Sequence, residues 1–446
     1  MKCADTAPGG AACCGLEWPR LAAWLLVAGS FVYVLTALHA VVLGDSAASR
    51  LATVMSLVHE GTWYIDRPGG AEPNPFEQRT IDKVEVDGRI LSTKPPVLPL
   101  AMTAEYAVLH ALLGWDLRDP AYWKPVLQFM IVTLCIVPYA IGCVFFLWLL
   151  ELLIADPRQR LIPLAALLFG TQLPGFATQL NNHTPAIAAL IAALYFTVGI
   201  WSGRLAPSRP RLVGFGVAAA LVFTLDMPLT LFVGVAGLGL IWKHPVRAAI
   251  WGGAGMLPIL AVHFGAMLYV TGSPLPIQMH KAWYLFESSA WRNPGGIDAL
   301  NEPWGTYLFH STFGRYGIFL LYPALLAGPV ALVCCAWRRE YAAARAGYAA
   351  AALSIAVLYA YYVKSTNNYG GAAYGFRWGM GSMPLLVLMG IPVFQRIRRP
   401  WAWGLFALAM GVSAYSAWEC YRAPWGDSHE WTCRLLFGPP YLKPGG

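Results

Sequence analysis

The chain has 446 residues, 57% of them hydrophobic and only 12% charged, with a formal charge of +8. An ordinary soluble domain carries about 25% charged residues, so the composition excludes the usual soluble enzymes and points to a chain embedded in a bilayer. Its apolar runs are continuous rather than alternating, which excludes a β-barrel and leaves helices as the spanning elements.

Residues 21–43 contain no Asp, Glu, Lys or Arg, and a span needs roughly 20 such residues. The run ends in LGDSAASR, without a small-x-small cleavage site. It is expected to remain as an anchor rather than to act as a signal peptide. A polar stretch follows at 44–94. Within it Leu51, Val54, Met55 and Val58 fall on one helical stripe. Asp45 stands at the start of that helix, where the local dipole favours a carboxylate. The plain alternative is that Asp45 or Ser46 simply caps the helix. GTWYID at 61–66 reads as a turn with interfacial aromatics. Residues 80–96 then alternate Val84, Val86 and Ile90 with polar residues around an Asp87–Gly88 turn, the pattern of a short β-hairpin. The hairpin delivers Ser92, Thr93 and Lys94 to a Lys-Pro-Pro helix start. Lys94 beside free backbone N–H groups would make a phosphate-binding arrangement. A lysine that only snorkels along the interface is the alternative.

Further apolar runs occupy 95–113, 126–153, 161–176, 184–201, 212–225, 228–242, 248–270, 317–336, 346–363, 379–394 and 401–418. Short basic connections separate them: ADPRQR (155–160), SGRLAPSRPR (202–211), WKHPVR (242–247), AWRREYAAAR (336–345) and FQRIRRP (394–400). Lys and Arg in short loops mark the cytoplasmic side. With a cytoplasmic N-terminus, all these loops fall inside only if the 95–113 run is re-entrant or interfacial. That run opens on Lys-Pro-Pro and carries Glu105 and His110. The expected fold is therefore all-α: one polytopic membrane domain over residues 1–446 with about eleven transmembrane helices. Its outer face carries the first loop 44–94, a second large segment 271–316 and the tail 419–446. The excess positive charge is cytoplasmic on this threading, which removes the reason to expect a nucleic-acid partner. Nearly all carboxylates fall on the outer face, and a chemical site is expected there.

The nine cysteines have no metal-ligand spacing. Cys420 and Cys433 share the outer tail, where an oxidising compartment would allow a disulfide. TQLNNHTP at 178–185 offers Asn181, Asn182 and His183 as acceptor or sugar contacts, or merely a helix start before Pro185. Asp226 lies between two spans, where an ionisable residue is a functional candidate by default; a wet turn before Pro228 is the other reading. YGGAAYGFRWG at 369–379 brings Tyr374, Arg377 and Trp378 to the boundary. They are either an arginine aimed at a lipid phosphate with its aromatics or a stretch of the aromatic belt. Segment 271–316 holds Gln278, His280, Lys281, Trp283, Tyr284 and Arg315, enough to shape a groove but with no spacing that singles out a reaction.

The order of parts over residues 20–100 is an N-terminal span, Asp45 just beyond it, an amphipathic helix, Gly61-Thr62-Trp63, and Lys94-Pro95-Pro96 with Leu98. This order resembles the GT-C superfamily of membrane glycosyltransferases, and within it the branch of protein O-mannosyltransferases and lipid A aminoarabinose transferases. The resemblance implies transfer of a sugar from a polyprenyl-phosphate or -diphosphate donor to an acceptor on the outer face of a bacterial cytoplasmic (inner) membrane. The acceptor is a protein, lipid or glycan, and the displacement is expected to invert. Asp45 would serve the acceptor hydroxyl as base or orienter. Lys94 and Arg377 would stabilise the departing phosphate. Arg50, Asn182, His183, Asp226 and Tyr374 would contact acceptor or sugar. The family often reads Asp-Glu where this chain reads Asp45-Ser46. A hard cation wants several oxygen ligands, so no cofactor is expected, with a divalent metal as the open alternative. A transporter or flippase of lipid-linked sugars is a rival reading, and so is a non-catalytic membrane protein of the same fold. The sugar-transfer reading expects Asp45, Lys94 and Arg377 to converge on one outward cavity.

Overall fold

The computed structural model describes residues 18–40, 43–67, 72–292, 302–338, 345–365, 368–371 and 373–426. Cys433, and with it the Cys420–Cys433 pairing, lies outside the described residues. The described residues are mostly helical, with one two-stranded sheet. Among the described residues, five helices are long and apolar enough to cross a membrane: Trp18–Leu38, Pro120–Leu153, His183–Trp201, Pro245–Thr271 and Arg345–Lys364. This is the architecture of an all-α membrane protein. Several other apolar runs form shorter helices, among them Val97–Leu113, Met227–Lys243 and Ser382–Phe394. The 161–176 run is broken into Leu161–Phe169 and Leu173–Ala177.

The helices differ in which solvent they need. Only 17% of the apolar window of Pro245–Thr271 is buried within the protein, and Ile250, Leu257, Val262 and Leu268 lie open on its surface. Helix α1 (Trp18–Leu35) likewise exposes Leu21, Trp24, Leu25 and Val32. Apolar surface on this scale is stable against hydrocarbon, not water. The His183–Trp201 helix is the opposite case, with 67% of its window buried. It is rich in alanine, and small residues let helices pack closely where no hydrophobic effect drives them together. A Cβ at Gly142 would come within 2.9 Å of the Ala188 backbone.

The two ends of the bundle are chemically distinct. At one end Arg158 lies over the Trp18 ring, and Lys243 Nζ donates to Trp201 O at 2.5 Å. Two of the basic connections, 155–160 and 242–247, therefore lie where α1 begins and where the His183–Trp201 helix ends. The opposite ends of these two helices lead to the carboxylate-bearing segments. Tyr33 near the end of α1 stacks on Tyr421, and His183 bonds Asp226.

Beyond α1, helix α2 (Asp45–Glu60) packs against α3 (Val97–Leu113). Strands β1 (Lys83–Val86) and β2 (Arg89–Ser92) form the hairpin expected between them. Asp87 and Gly88 both have positive φ, 52° and 75°, as the tight turn with the twist of a hairpin requires. The register pairs Val86 with Arg89 and Lys83 with Ser92. Val84 and Leu91 point inward, onto Met267 and Ile277.

One crossing sets how closely the helices approach. A Cβ at Gly216 would lie 2.0 Å from Gly252 O, and one at Gly255 2.2 Å from Val213 O. Gly216→Val should therefore force the Arg209–Leu225 and Pro245–Thr271 helices apart at a cost of about 1–3 kcal/mol or more. The check is the melting temperature of the detergent-solubilised protein; an unchanged melt would mean the helices do not meet there.

Candidate functional site

Four segments meet at the carboxylate-bearing end: the first two turns of α2, the hairpin with the Lys-Pro-Pro start of α3, the turns at 178–183 and 226, and the glycine-rich loop before Arg377. Each is held by named bonds.

Helix α2 starts after Gly44, which occupies the N-cap position, and no side chain caps it. Asp45 is thus not the cap that its position suggested. Its carboxylate instead accepts from Ile81 N at 3.4 Å, and Thr80 Oγ1 donates to its carbonyl at 2.9 Å. Burial, with the neighbouring Asp82 charge, raises the Asp45 carboxyl above its ordinary range. Arg50 lies on the inner face of α2 and is 1% exposed. It donates to Ser46 O at 2.9 Å and to Asn182 Oδ1 at 2.6 Å. Burial lowers its pKa to about 10.

The carboxylate at the centre is Asp82, which the sequence reading passed over as part of the hairpin's polar edge. It accepts from Lys94 Nζ at 2.6 Å and from Ser46 Oγ at 3.0 Å. Its carbonyl takes Ser49 Oγ at 2.6 Å and Thr93 N at 3.1 Å. Burial alone would push the Asp82 carboxyl up, but Lys94, Ser46 and Arg50 outweigh it and hold the group below its ordinary range. Burial lowers the Lys94 ammonium, and Arg50 and Arg377 add to that against the pull of Asp82. The hairpin register carried the missing signal: pairing Val86 with Arg89 runs back to Lys83 with Ser92, which sets Asp82 beside Thr93 and hence Lys94.

The Lys-Pro-Pro start works differently from the expectation. Pro96 is the N-cap of α3, and the first turn reads Val97-Leu98-Pro99. Proline has no N–H, so only Val97 and Leu98 can present amides there. The positive charge at this end therefore comes mainly from side-chain cations.

The turns at 178–183 and 226 are tied together. Asn182 Nδ2 donates to Leu225 O at 2.8 Å, and His183 Nδ1 bonds Asp226 Oδ2 at 2.6 Å. Asn181 turns inward and donates to Phe176 O and Gln179 O, a structural role. Arg377 follows a loop in which Gly370, Gly371 and Gly375 all have positive φ. Its guanidinium lies over the Trp425 ring, 4.9 Å from the centroid, and its buried Nε has no hydrogen-bond partner among the described residues. Burial lowers Arg377 to about 10, opposed by Asp82 and Asp226. Tyr374 is 2% exposed, beside Tyr322, and its N–H donates to Pro424 O.

Lys94 thus pairs directly with Asp82, Arg50 and Arg377 feel the Asp82 charge without an ion-pair contact to it, and Asp226 is engaged by His183. This cluster of charges carries surplus buried positive charge. Asp45 sits at its rim and feels both Asp82 and Lys94. The three residues expected to converge do share this end, but not one cavity wall. Lys94 lines a small cavity with Thr53, Trp63, Leu91 and Met267, which Asp45 and Arg377 do not reach. Segment 277–284 closes the hairpin side: Gln278 Nε2 donates to Thr93 O at 2.5 Å, and His280 stacks on Trp283. Among the described residues, no group of His, Cys, Asp and Glu is arranged to hold a metal ion. The two carboxylates at the rim and centre face three cations, a poor setting for a hard cation.

No protein-family model matches the chain, and no curated protein sequence matches it.

Removing the Asp82 charge would leave three cations facing one another. Asp82→Asn should cost about 1–3 kcal/mol, below the ~3–5 kcal/mol typical of a fully buried broken pair because both side chains keep some exposure. Asp82→Asn combined with Lys94→Met should cost less than Asp82→Asn alone, and a double-mutant cycle by thermal melting checks this. The depressed Asp82 pKa also fixes a sign. Its stabilisation is full above the ordinary carboxylate pKa of about 3.9 and is lost as pH falls through the lower folded-state value. Asp82→Asn should therefore flatten the acid side of the melting profile.

Proposed function

We propose that the chain is a glycosyltransferase of the GT-C type. It would move a sugar from a polyprenyl-phosphate donor to an acceptor on the extracytoplasmic face, in a fold with eleven crossings and a cytoplasmic N-terminus. The observation that carries this reading is that three largely buried cations, Arg50, Lys94 and Arg377, lie at one end of the bundle within reach of each other's fields, with only Lys94 paired directly to a carboxylate, Asp82. The donor phosphodiester carries one negative charge and leaves as a phosphomonoester dianion, so its phosphate gains one negative charge as the bond to the sugar breaks, and preorganised cations in a partly dry site would answer that demand. Asp82 holds Lys94 in place until a phosphate competes for it. The donor's lipid tail needs a site next to the bilayer, and the cluster lies where apolar helices end.

Two further features support surface chemistry over transport. The charged groups gather at one end of the bundle instead of mid-span, where an alternating-access site would hold them. Two of the basic connections lie at the opposite end, which is the charge asymmetry expected of an extracytoplasmic site.

The test is purified full-length protein with radiolabelled undecaprenyl-phosphate mannose and undecaprenyl-phosphate aminoarabinose, and a cell-envelope fraction as acceptor. Lys94→Ala and Arg377→Ala should each lower transfer about 10²–10³-fold, the range for removing one preorganised charge-stabilising group. Both should also weaken binding of undecaprenyl phosphate. Transfer at wild-type rate by both variants would sink the assignment of these cations to the donor phosphate.

A further inference from the structure

The proposed transfer needs a group to take the acceptor's proton. Three polar groups at this end are committed elsewhere, and a fourth, Asp45, stands at the exposed rim. Asp82 is engaged by Lys94 and Ser46, and Arg50 by Ser46 and Asn182. Asp45 lies at the exposed rim, with one oxygen on Ile81 N. Asn182 bridges Arg50 and Leu225 O. His183 differs from all of these. Its Nδ1 is bonded to Asp226 Oδ2 at 2.6 Å, and the two side chains keep 9% and 7% of their surface. Among the described residues Nε2, on the far edge of the ring, has no hydrogen-bond partner. This fixes the imidazole in one orientation. With the proton on Nδ1, directed at the carboxylate, the lone pair is on Nε2. A carboxylate so placed sets the tautomer and stabilises the imidazolium that forms when Nε2 takes a proton.

The dyad is also next to the cations. His183 follows Asn182, which holds Arg50, and the charges of Arg377 and Asp226 are close enough to influence each other. A phosphate held by Arg50 and Arg377 would therefore present its sugar near the imidazole.

We propose that His183 is the proton acceptor of the transfer reaction and that Asp226 is its positioning residue. The proposal rests on the sugar-transfer reading. In the step, the acceptor oxygen forms a bond to the anomeric carbon as the carbon–oxygen bond to the carrier phosphate breaks. The hydroxyl proton passes to His183 Nε2, and the phosphate leaves with the bonding electron pair beside Arg50, Lys94 and Arg377. The imidazolium then gives its proton to water.

The experiment compares full-length wild type, His183→Gln, Asp226→Asn and Asp226→Glu in the radiolabelled transfer assay, each with a parallel measurement of undecaprenyl phosphate binding. His183→Gln should lose at least about 100-fold in turnover, the low end for general-base removal, while binding undecaprenyl phosphate within about threefold of wild type. Asp226→Asn should fall in the same direction, and Asp226→Glu should recover at least about tenfold of that loss, as a carboxylate that orients a base requires. The Asp226 pair also keeps the test decisive if His183→Gln does not fold. His183→Gln that keeps turnover, in a wild type that transfers, overturns this inference alone. Equal loss of binding and turnover in His183→Gln also overturns it, since the dyad would then be structural. A wild type that neither binds undecaprenyl phosphate nor transfers sugar overturns the sugar-transfer reading and this inference with it.

Discussion

The ion pair between Lys94 and Asp82 joins three pieces of chain that would otherwise have no reason to meet. Asp82 opens the hairpin, Lys94 closes it and begins the path into α3, and Ser46 on α2 donates to the same carboxylate. The backbone repeats the connection, since the Asp82 carbonyl takes both Ser49 and Thr93. These bonds lie on partly buried groups, where a hydrogen bond to a charge is worth roughly twice a neutral one. The hairpin is too short to be stable alone. Its stability comes from this electrostatic anchor at its open end and from Val84 and Leu91 packed on Met267 and Ile277.

The same anchor explains how the protein tolerates its surplus of buried cations. Arg50 is 1% exposed, and a guanidinium in that position must be hydrogen-bonded or paired. It is met by a carbonyl and an amide oxygen, neither of which carries a full charge. Arg377 has an aromatic face and the more distant fields of Asp82 and Asp226. The cations are therefore solvated by dipoles and a π-face but only partly neutralised. An arrangement of this kind would favour an anion more than a fully paired network does, and a bound anion would relieve part of the imbalance.

Much of the scaffold was legible in the sequence, because its signals are local. The stripe of Leu51, Val54, Met55 and Val58 gave α2, and the Asp87–Gly88 turn gave the hairpin. Long uncharged runs gave the longest helices. The site was only partly legible. Lys94, Arg50, Arg377, Asn182, His183 and Asp226 were found by residue type and position, yet their pairings were not, because partners such as Arg50 and Asn182 are distant in sequence. Asp82 was overlooked since a carboxylate in a polar-apolar alternation looks like a solvated edge; only its register against Thr93 reveals it. The burial of Tyr374 was likewise not legible, because a glycine-rich boundary segment gives no local sign that its aromatic is 2% exposed.

The break in the 161–177 region shows how a departure from regular helix serves the site. A continuous span would have been expected from composition, yet the helix stops at Phe169 and resumes at Leu173. A helix interior would have aimed Gln172 at a neighbouring helix or at lipid, where an amide is hard to satisfy. In the break its Nε2 donates to Phe376 O at 3.2 Å. A Cβ at Gly375 would lie 2.7 Å from Gln172 Oε1, so only glycine lets the loop approach this closely. Arg377 follows directly on that anchored pair. The interruption of one helix thus fixes the backbone from which an arginine projects, at a place where glycines alone would have left the loop without a defined conformation. The position of the cation depends on a buried amide more than 200 residues earlier in the chain, a dependence that residue-by-residue reading of either segment would not disclose.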